Sequence, residues 1–121
     1  MKVVIADDSM TIRSITRDHL EKMGIPKQNI YEARNGKLAL ELVINENPDL
    51  LLLDMVMPEM TGMEVLEELH KRNVSTVVGV VSSFGTNYYV EKAKSLGAKF
   101  FINKPLVYEK LVEELKKVGI L

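Results

Sequence analysis

The chain has 121 residues, 46% hydrophobic and 27% charged, with a formal net charge of −1. That length suits one domain with a sizeable core, and the near-neutral balance gives no basis for a nucleic-acid or membrane-surface partner. The absence of cysteine excludes disulfides, thiol catalysis and cysteine metal sites, and the apolar run that stops at Asp54 falls far short of the ~20 residues of a membrane helix.

In chain order, the first strand is expected at Val3–Ala6, ending on Asp7 and Asp8. No signal-peptide pattern precedes it, so a cytoplasmic address is expected. Ile12, Ile15, His19, Leu20 and Met23 then recur at helical spacing, and Gly24 stops that first helix. A second strand is expected over residues 30–34, followed by a helix over about residues 37–45 that Asn35 and Gly36 open and Pro48 closes. Leu50–Leu53 forms a third strand and ends on Asp54. Residues 61–72 predict a third helix, with Met63, Leu66 and Leu69 inward and Glu64 to Glu68 outward. A fourth strand over 77–81 reaches Ser82, a fourth helix covers Asn87–Ser95 before Leu96 and Gly97, and a fifth strand over 100–102 leads to Lys104 and Pro105. The last helix carries the stripe Tyr108, Leu111, Val112 and Leu115 and runs to about Lys117.

Several of these strands are nearly continuous apolar runs, as parallel strands covered on both faces must be. Strand–helix alternation with short connections predicts an α/β fold: a doubly wound parallel sheet with helices on both faces. Right-handed crossovers leave few topologies. With no low-complexity linker or charge block, residues 1–121 read as a single domain without an effector domain.

An aspartate at the carboxyl end of a buried strand faces the crevice where open α/β sheets bind ligands. Each acid has an ordinary explanation. Asp7 and Asp8 suit a helix N-terminus, although only one residue can be the N-cap. Lys104 suits a solvated strand end, where Pro105 forbids the strand to continue, and Ser82 suits a turn. The five ordinary explanations would have to hold together at one sheet edge. Carboxylates that meet there repel unless a cation joins them, and a lysine beside them suits a phosphate oxygen. The combination points to moving a phosphoryl group onto a carboxylate. A hard oxygen site of two or three carboxylates suits Mg²⁺, which keeps few protein ligands and completes its shell with water and substrate phosphate.

The chain resembles the receiver domains of bacterial two-component response regulators, especially the single-domain chemotaxis type. The resemblance rests on Val4, Ile5, Ala6, Asp7, Asp8 and Ser9; on Ala33, Arg34, Asn35 and Gly36; on Pro48 and Asp49; on residues 53–62; on Ser82 and Ser83; and on Lys104 with Pro105. It implies a flavodoxin-like sheet of five strands in the order 2-1-3-4-5 with five helices, for which receivers are themselves a standing example. It also implies that Asp54 is the phosphoacceptor, taking its group from a sensor histidine kinase or phosphotransfer domain. Asp8 and Asp54 would hold Mg²⁺ through side chains, Asp7 mainly through water, and Val56 through its backbone carbonyl. Lys104 would pair with one phosphoryl oxygen and Ser82 would donate to another. The resemblance further implies a cis Lys104–Pro105 peptide. Phe101, otherwise a core aromatic, would turn inward and switch the surface of the fourth helix, fifth strand and fifth helix for a downstream protein target.

The chain departs from that pattern in places. Phe101 lacks the hydroxyl of the usual tyrosine, and Ser83 stands in for a small alanine. Val56 and Phe84 are apolar where polar residues are common, which implies slow loss of phosphate. Tyr88 and Tyr89 suit either the output face or the sheet; His19 reads as structural, His70 as solvated, and the seven methionines mainly as core filler. The expectation is a monomeric, stand-alone phosphoacceptor signalling protein rather than an enzyme, with the opening Asp8, Ser9 and Met10 leaning toward chemotaxis. A phosphorelay intermediate, a phosphate sink and a phosphate-independent interaction module are the alternatives. A haloacid dehalogenase-type phosphatase would need an aspartate where Val56 stands, and a cap domain.

Overall fold

A computed structural model of the chain describes residues 1–83 and 85–121. Strands β1 (Val3–Ala6), β2 (Ile30–Ala33), β3 (Leu50–Leu53), β4 (Val77–Ser82) and β5 (Ala98–Asn103) alternate with helices α1 (Met10–Lys22), α2 (Gly36–Glu46), α3 (Gly62–Lys71), α4 (Asn87–Ser95) and α5 (Tyr108–Lys117). The strands form one sheet in the order β2-β1-β3-β4-β5, and every pairing is parallel. The expected doubly wound architecture is the one observed.

Successive strand side chains point to opposite faces, and the sheet separates two apolar layers accordingly. Val4, Ala6, Leu51 and Leu53 meet Val43 of α2, Leu66 and Leu69 of α3 and Ala93 of α4. Val3, Ile5, Leu50 and Leu52 meet Leu20 of α1 and Leu111 and Leu115 of α5. All four residues of β1 and of β3 are buried, so neither strand can alternate with polar residues.

The edge strand β5 behaves differently and corrects the expected boundary. Lys99 and Asn103 are exposed while Ala98, Phe100 and Ile102 are buried, so the strand is longer than its apolar run. Phe100 sits opposite Gly79 after a register shift in the β4–β5 ladder. A β-carbon at Gly79 would lie 2.0 Å from the Phe100 ring, so the ring fills the space a side chain would take. A 3₁₀ turn at Lys27–Asn29, also absent from the expectation, leads into β2. Among the described residues, no helix is long and apolar enough to cross a membrane.

Candidate functional site

The register of the central strands brings the acids together. Ala6 pairs with Leu53, so Asp7 and Asp54 follow at the same end of neighbouring strands. Their backbones stay in the sheet: Asp7 N–H donates to the Ala33 carbonyl at 3.0 Å and Asp54 N–H to the Ala6 carbonyl at 2.9 Å. Gly62 closes the loop after β3, donating to the Met55 carbonyl at 3.0 Å. A β-carbon on Gly62 would stand 2.2 Å from the Asp54 carbonyl oxygen, so the α3 N-terminus can approach this closely only as glycine.

Neither Asp7 nor Asp8 caps α1. Ser9 does, its hydroxyl accepting from Ile12 N–H. Asp7 Oδ1 instead accepts from Ser9 N–H at 2.9 Å. Asp7 and Asp54 are buried and Asp8 is exposed, and one carboxylate oxygen from each lies within 4.8 Å of the other two.

Lys104 and Ser82 complete the group. Lys104 Nζ donates to Asp7 Oδ2 at 2.7 Å and to Asp54 Oδ2 at 3.1 Å. Ser82 Oγ, fully buried, donates to Asp54 Oδ1 at 2.8 Å, and Val56 N–H approaches the same oxygen at 3.4 Å. Lys104 N–H also donates to the Ser82 carbonyl at 3.0 Å, tying the ends of β4 and β5. The Lys104–Pro105 peptide is cis.

Charge in this corner is unbalanced. Burial pushes the Asp7 carboxyl up, against the opposing pull of the Lys104 and Ser9 hydrogen bonds, and the nearby Asp54 adds to the rise. Burial also disfavours the Lys104 ammonium, but its hydrogen bonds to Asp7 and Asp54 outweigh that and hold its pKa above the ordinary lysine value. Among the described residues, one ammonium pairs with two of the three carboxylates and leaves Asp8 without an ion-pair partner. The donors are hard oxygens with a deficit of positive charge, a set that fits Mg²⁺ and not a soft metal. A cleft of about 190 Å³ adjoins them, lined by Asp8, Asp54, Val56, Ser82, Ser83 and Lys104.

The remaining candidates fall in varied places. Val56 stands at the rim with half its surface exposed, and Phe84 lies outside the described residues. Phe101 is half-buried and packs on the α2–α4 layer, opposite Phe100 and Ile102. Tyr88 is exposed, whereas Tyr89 is half-buried and shares an apolar cavity with Met55, Met57 and Met63. The two tyrosines therefore divide between solvent and interior. His19 packs near Tyr108, with ring centroids 5.8 Å apart, and its Nε2 lies 3.4 Å from the Leu106 carbonyl oxygen. His70 is exposed. Arg13, which sequence reasoning passed over, donates to the Asp7 carbonyl at 2.7 Å. No motif marks it, because its partners lie just after β1 and on β2.

Residues 3–116 match the family described as response regulator receiver domain. The chain is 35% identical over 118 residues to the chemotaxis protein CheY of Thermotoga maritima, covering 98% of this chain and 97% of that protein. It is 32% identical over 116 residues to sporulation initiation phosphotransferase F of Bacillus subtilis, covering 96% and 91%. Its fold is similar to the receiver domain of the Francisella response regulator 1452, with a TM-score of 0.87 at 27% identity and coverage of 97% and 94%.

Proposed function

The chain belongs to the response regulator receiver domain family, and from that membership we propose that Asp54 accepts a phosphoryl group from a sensor histidine kinase or phosphotransfer domain. The observation that carries this is the Asp54 carboxylate itself, held by Ser82 and Lys104 beside two further aspartates. An Asp54 oxygen bonds to phosphorus as the phosphorus–nitrogen bond of the donor phosphohistidine breaks, and that electron pair returns to the imidazole. Asp8 and Asp54, with Asp7 and the Val56 carbonyl, would hold Mg²⁺; when bound, it neutralises the carboxylates and stabilises charge on the phosphoryl oxygens.

The chain's own residues do the rest. Lys104 exchanges a carboxylate partner for a phosphoryl oxygen, and Ser82 turns its hydroxyl from Asp54 toward another. Ser82 lies opposite Asn103 at the β4–β5 ladder, so its displacement reaches the edge strand that carries Phe101. Phe101 moves inward through burial alone, having no hydroxyl to pair. The α4–β5–α5 surface then changes its affinity for a downstream protein.

This is the behaviour of a signalling switch: a cytoplasmic monomer in which residues 1–121 act as one receiver domain, with a chemotaxis-type output. A phosphorelay intermediate or phosphate sink is the second reading, favoured by the likeness to the sporulation phosphotransferase. A phosphate-independent interaction module has no use for the convergence of Asp7, Asp8, Asp54, Ser82 and Lys104.

Incubation with acetyl phosphate and Mg²⁺ tests the proposal. Intact-mass measurement is expected to show one added phosphoryl group that hydroxylamine removes and chelation of the metal prevents. No adduct and no Mg²⁺ binding would leave the interaction module. Sustained phosphate release from many substrates would indicate a phosphatase instead.

Val56 at the cleft rim bears on the lifetime of the adduct. An apolar side chain there gives a hydrolytic water no partner, whereas an amide orients one. Val56→Asn is expected to lose phosphate several-fold faster than wild type, and Val56→Asn with Phe84→Glu faster still. Equal decay, followed by mass or by phosphate release, would refute the role of these side chains.

A further inference from the structure

Asp8 is the exposed member of the acidic group, and its side chain makes no hydrogen bond or ion pair with any described residue. Asp7 has Lys104 and Ser9, and Asp54 has Ser82 and Lys104. What places Asp8 is therefore its backbone: the peptide after it, whose Ser9 N–H donates to Asp7 Oδ1, and the peptide that joins it to Asp7. The carbonyl of that peptide receives one strong hydrogen bond from a side chain, Arg13 Nη1 at 2.7 Å.

Arg13 is held from its other side. Its Nε donates to Glu32 Oε1 at 2.9 Å, and the second oxygen of Glu32 accepts from Arg17 Nε at 2.9 Å. Arg17 is tied in turn to the Ile30 carbonyl at 3.1 Å. Glu32 is fixed in the sheet, paired with Ile5 in the β1–β2 ladder. The Arg13 side chain is only 12% exposed. A planar guanidinium gripped at two points transmits orientation, which a flexible ammonium cannot do.

We propose that Arg13, clamped by Glu32, is a positioning residue that sets the Asp7–Asp8 peptide and thereby the cation affinity of the acidic cluster. This rests on reading Asp7, Asp8 and Asp54 as a cation site. It is a role for a residue that touches neither the cation nor the phosphoryl group.

The sign of the effect separates this role from simple electrostatics. Arg13 carries a positive charge beside a cation site, so its removal by charge alone should tighten Mg²⁺ binding. Loss of a positioning contact should weaken it, by about tenfold on the scale of outer contacts to metal ligands. Arg13→Gln is thus expected to bind Mg²⁺ about tenfold more weakly in calorimetric titration. Arg13→Lys keeps the charge but not the two-point grip, and is expected to lose nearly as much. Glu32→Gln, which loosens the clamp and leaves Arg13 in place, should lose less. Arg17→Gln removes the same charge but releases only the second oxygen of Glu32, so any loss of Mg²⁺ affinity should be smaller than in Glu32→Gln.

A second readout comes from phosphorylation by acetyl phosphate at increasing Mg²⁺. The Arg13 variants should need more metal for half-maximal rate yet approach the wild-type rate at saturation, since Asp54, Ser82 and Lys104 are unmoved. Thermal melting reports whether each variant is folded; should Arg13→Gln unfold, Arg13→Lys and Glu32→Gln carry the test. Unchanged or tighter Mg²⁺ binding in the folded Arg13 variants, with wild type binding normally, overturns the positioning role alone. Failure of wild type to bind Mg²⁺ overturns the cation-site reading, and this inference with it.

Discussion

Asp54→Asn is expected to accept no phosphoryl group from acetyl phosphate under conditions that modify wild type fully. The substitution keeps the volume at the end of β3 and leaves an oxygen for Ser82 to donate to, so the fold should persist. What it removes is the anionic nucleophile, because an amide lacks the electron density to attack phosphorus. It also removes one of the three carboxylates in the acidic group, so Mg²⁺ binding should weaken as well. Intact mass reports the adduct and peptide mapping reports its position. An adduct of undiminished yield in Asp54→Asn, mapping to Asp7 or Asp8, would sink the assignment.

Lys104→Ala is expected to move stability and metal binding in opposite directions. In the wild type the ammonium bridges two buried carboxylates, and without it Asp7 and Asp54 face each other uncompensated. Losing charged hydrogen bonds of this kind costs about 2–3 kcal/mol, below the ~3–5 kcal/mol of fully buried pairs because Lys104 keeps 17% of its side chain exposed. For a domain of this size that is a fall in Tm of roughly 10 °C. The pairing raises the folded pKa of Lys104 above its ordinary 10.5. Its contribution is therefore complete below that ordinary value and is lost only as pH climbs through the raised one. The variant should lack that alkaline loss.

Mg²⁺ should bind Lys104→Ala more tightly, because the competing cation on Asp7 Oδ2 and Asp54 Oδ2 is gone. Added Mg²⁺ should accordingly restore more Tm to the variant than it adds to wild type. Calorimetry and melting with and without metal measure both effects. Weaker Mg²⁺ binding in the variant would show that Lys104 organises the carboxylates rather than competing for them.

Much of the fold was legible because it is repetitive and local. Leu50–Leu53 and Val3–Ala6 are apolar throughout, which only a strand covered on both faces requires. The helices revealed themselves through their stripes and, for α2, through Asn35, which caps it; Ser9, passed over for the two acids before it, and Thr61, counted as the first helical residue, are the caps that the structure adds. The ends of β5 escaped because an edge strand admits exposed Lys99 and Asn103, which break the apolar run. Met55 and Met57 are buried, as core filler would be, but nothing in their spacing places Tyr89 against them.

The amino-acid sequence by itself determined the alternation of strands and helices, the acids at the strand ends and the likeness to receivers, because each is written in neighbouring residues. Tertiary structure alone decided which groups touch. Lys104 lies 97 residues from Asp7 and 50 from Asp54, and Ser82 lies 28 from Asp54, so their meeting depends on strand order and register. Arg13 shows the limit most clearly. Whether it reaches the Asp7 carbonyl depends on how α1 packs beside β2, where Glu32 holds it.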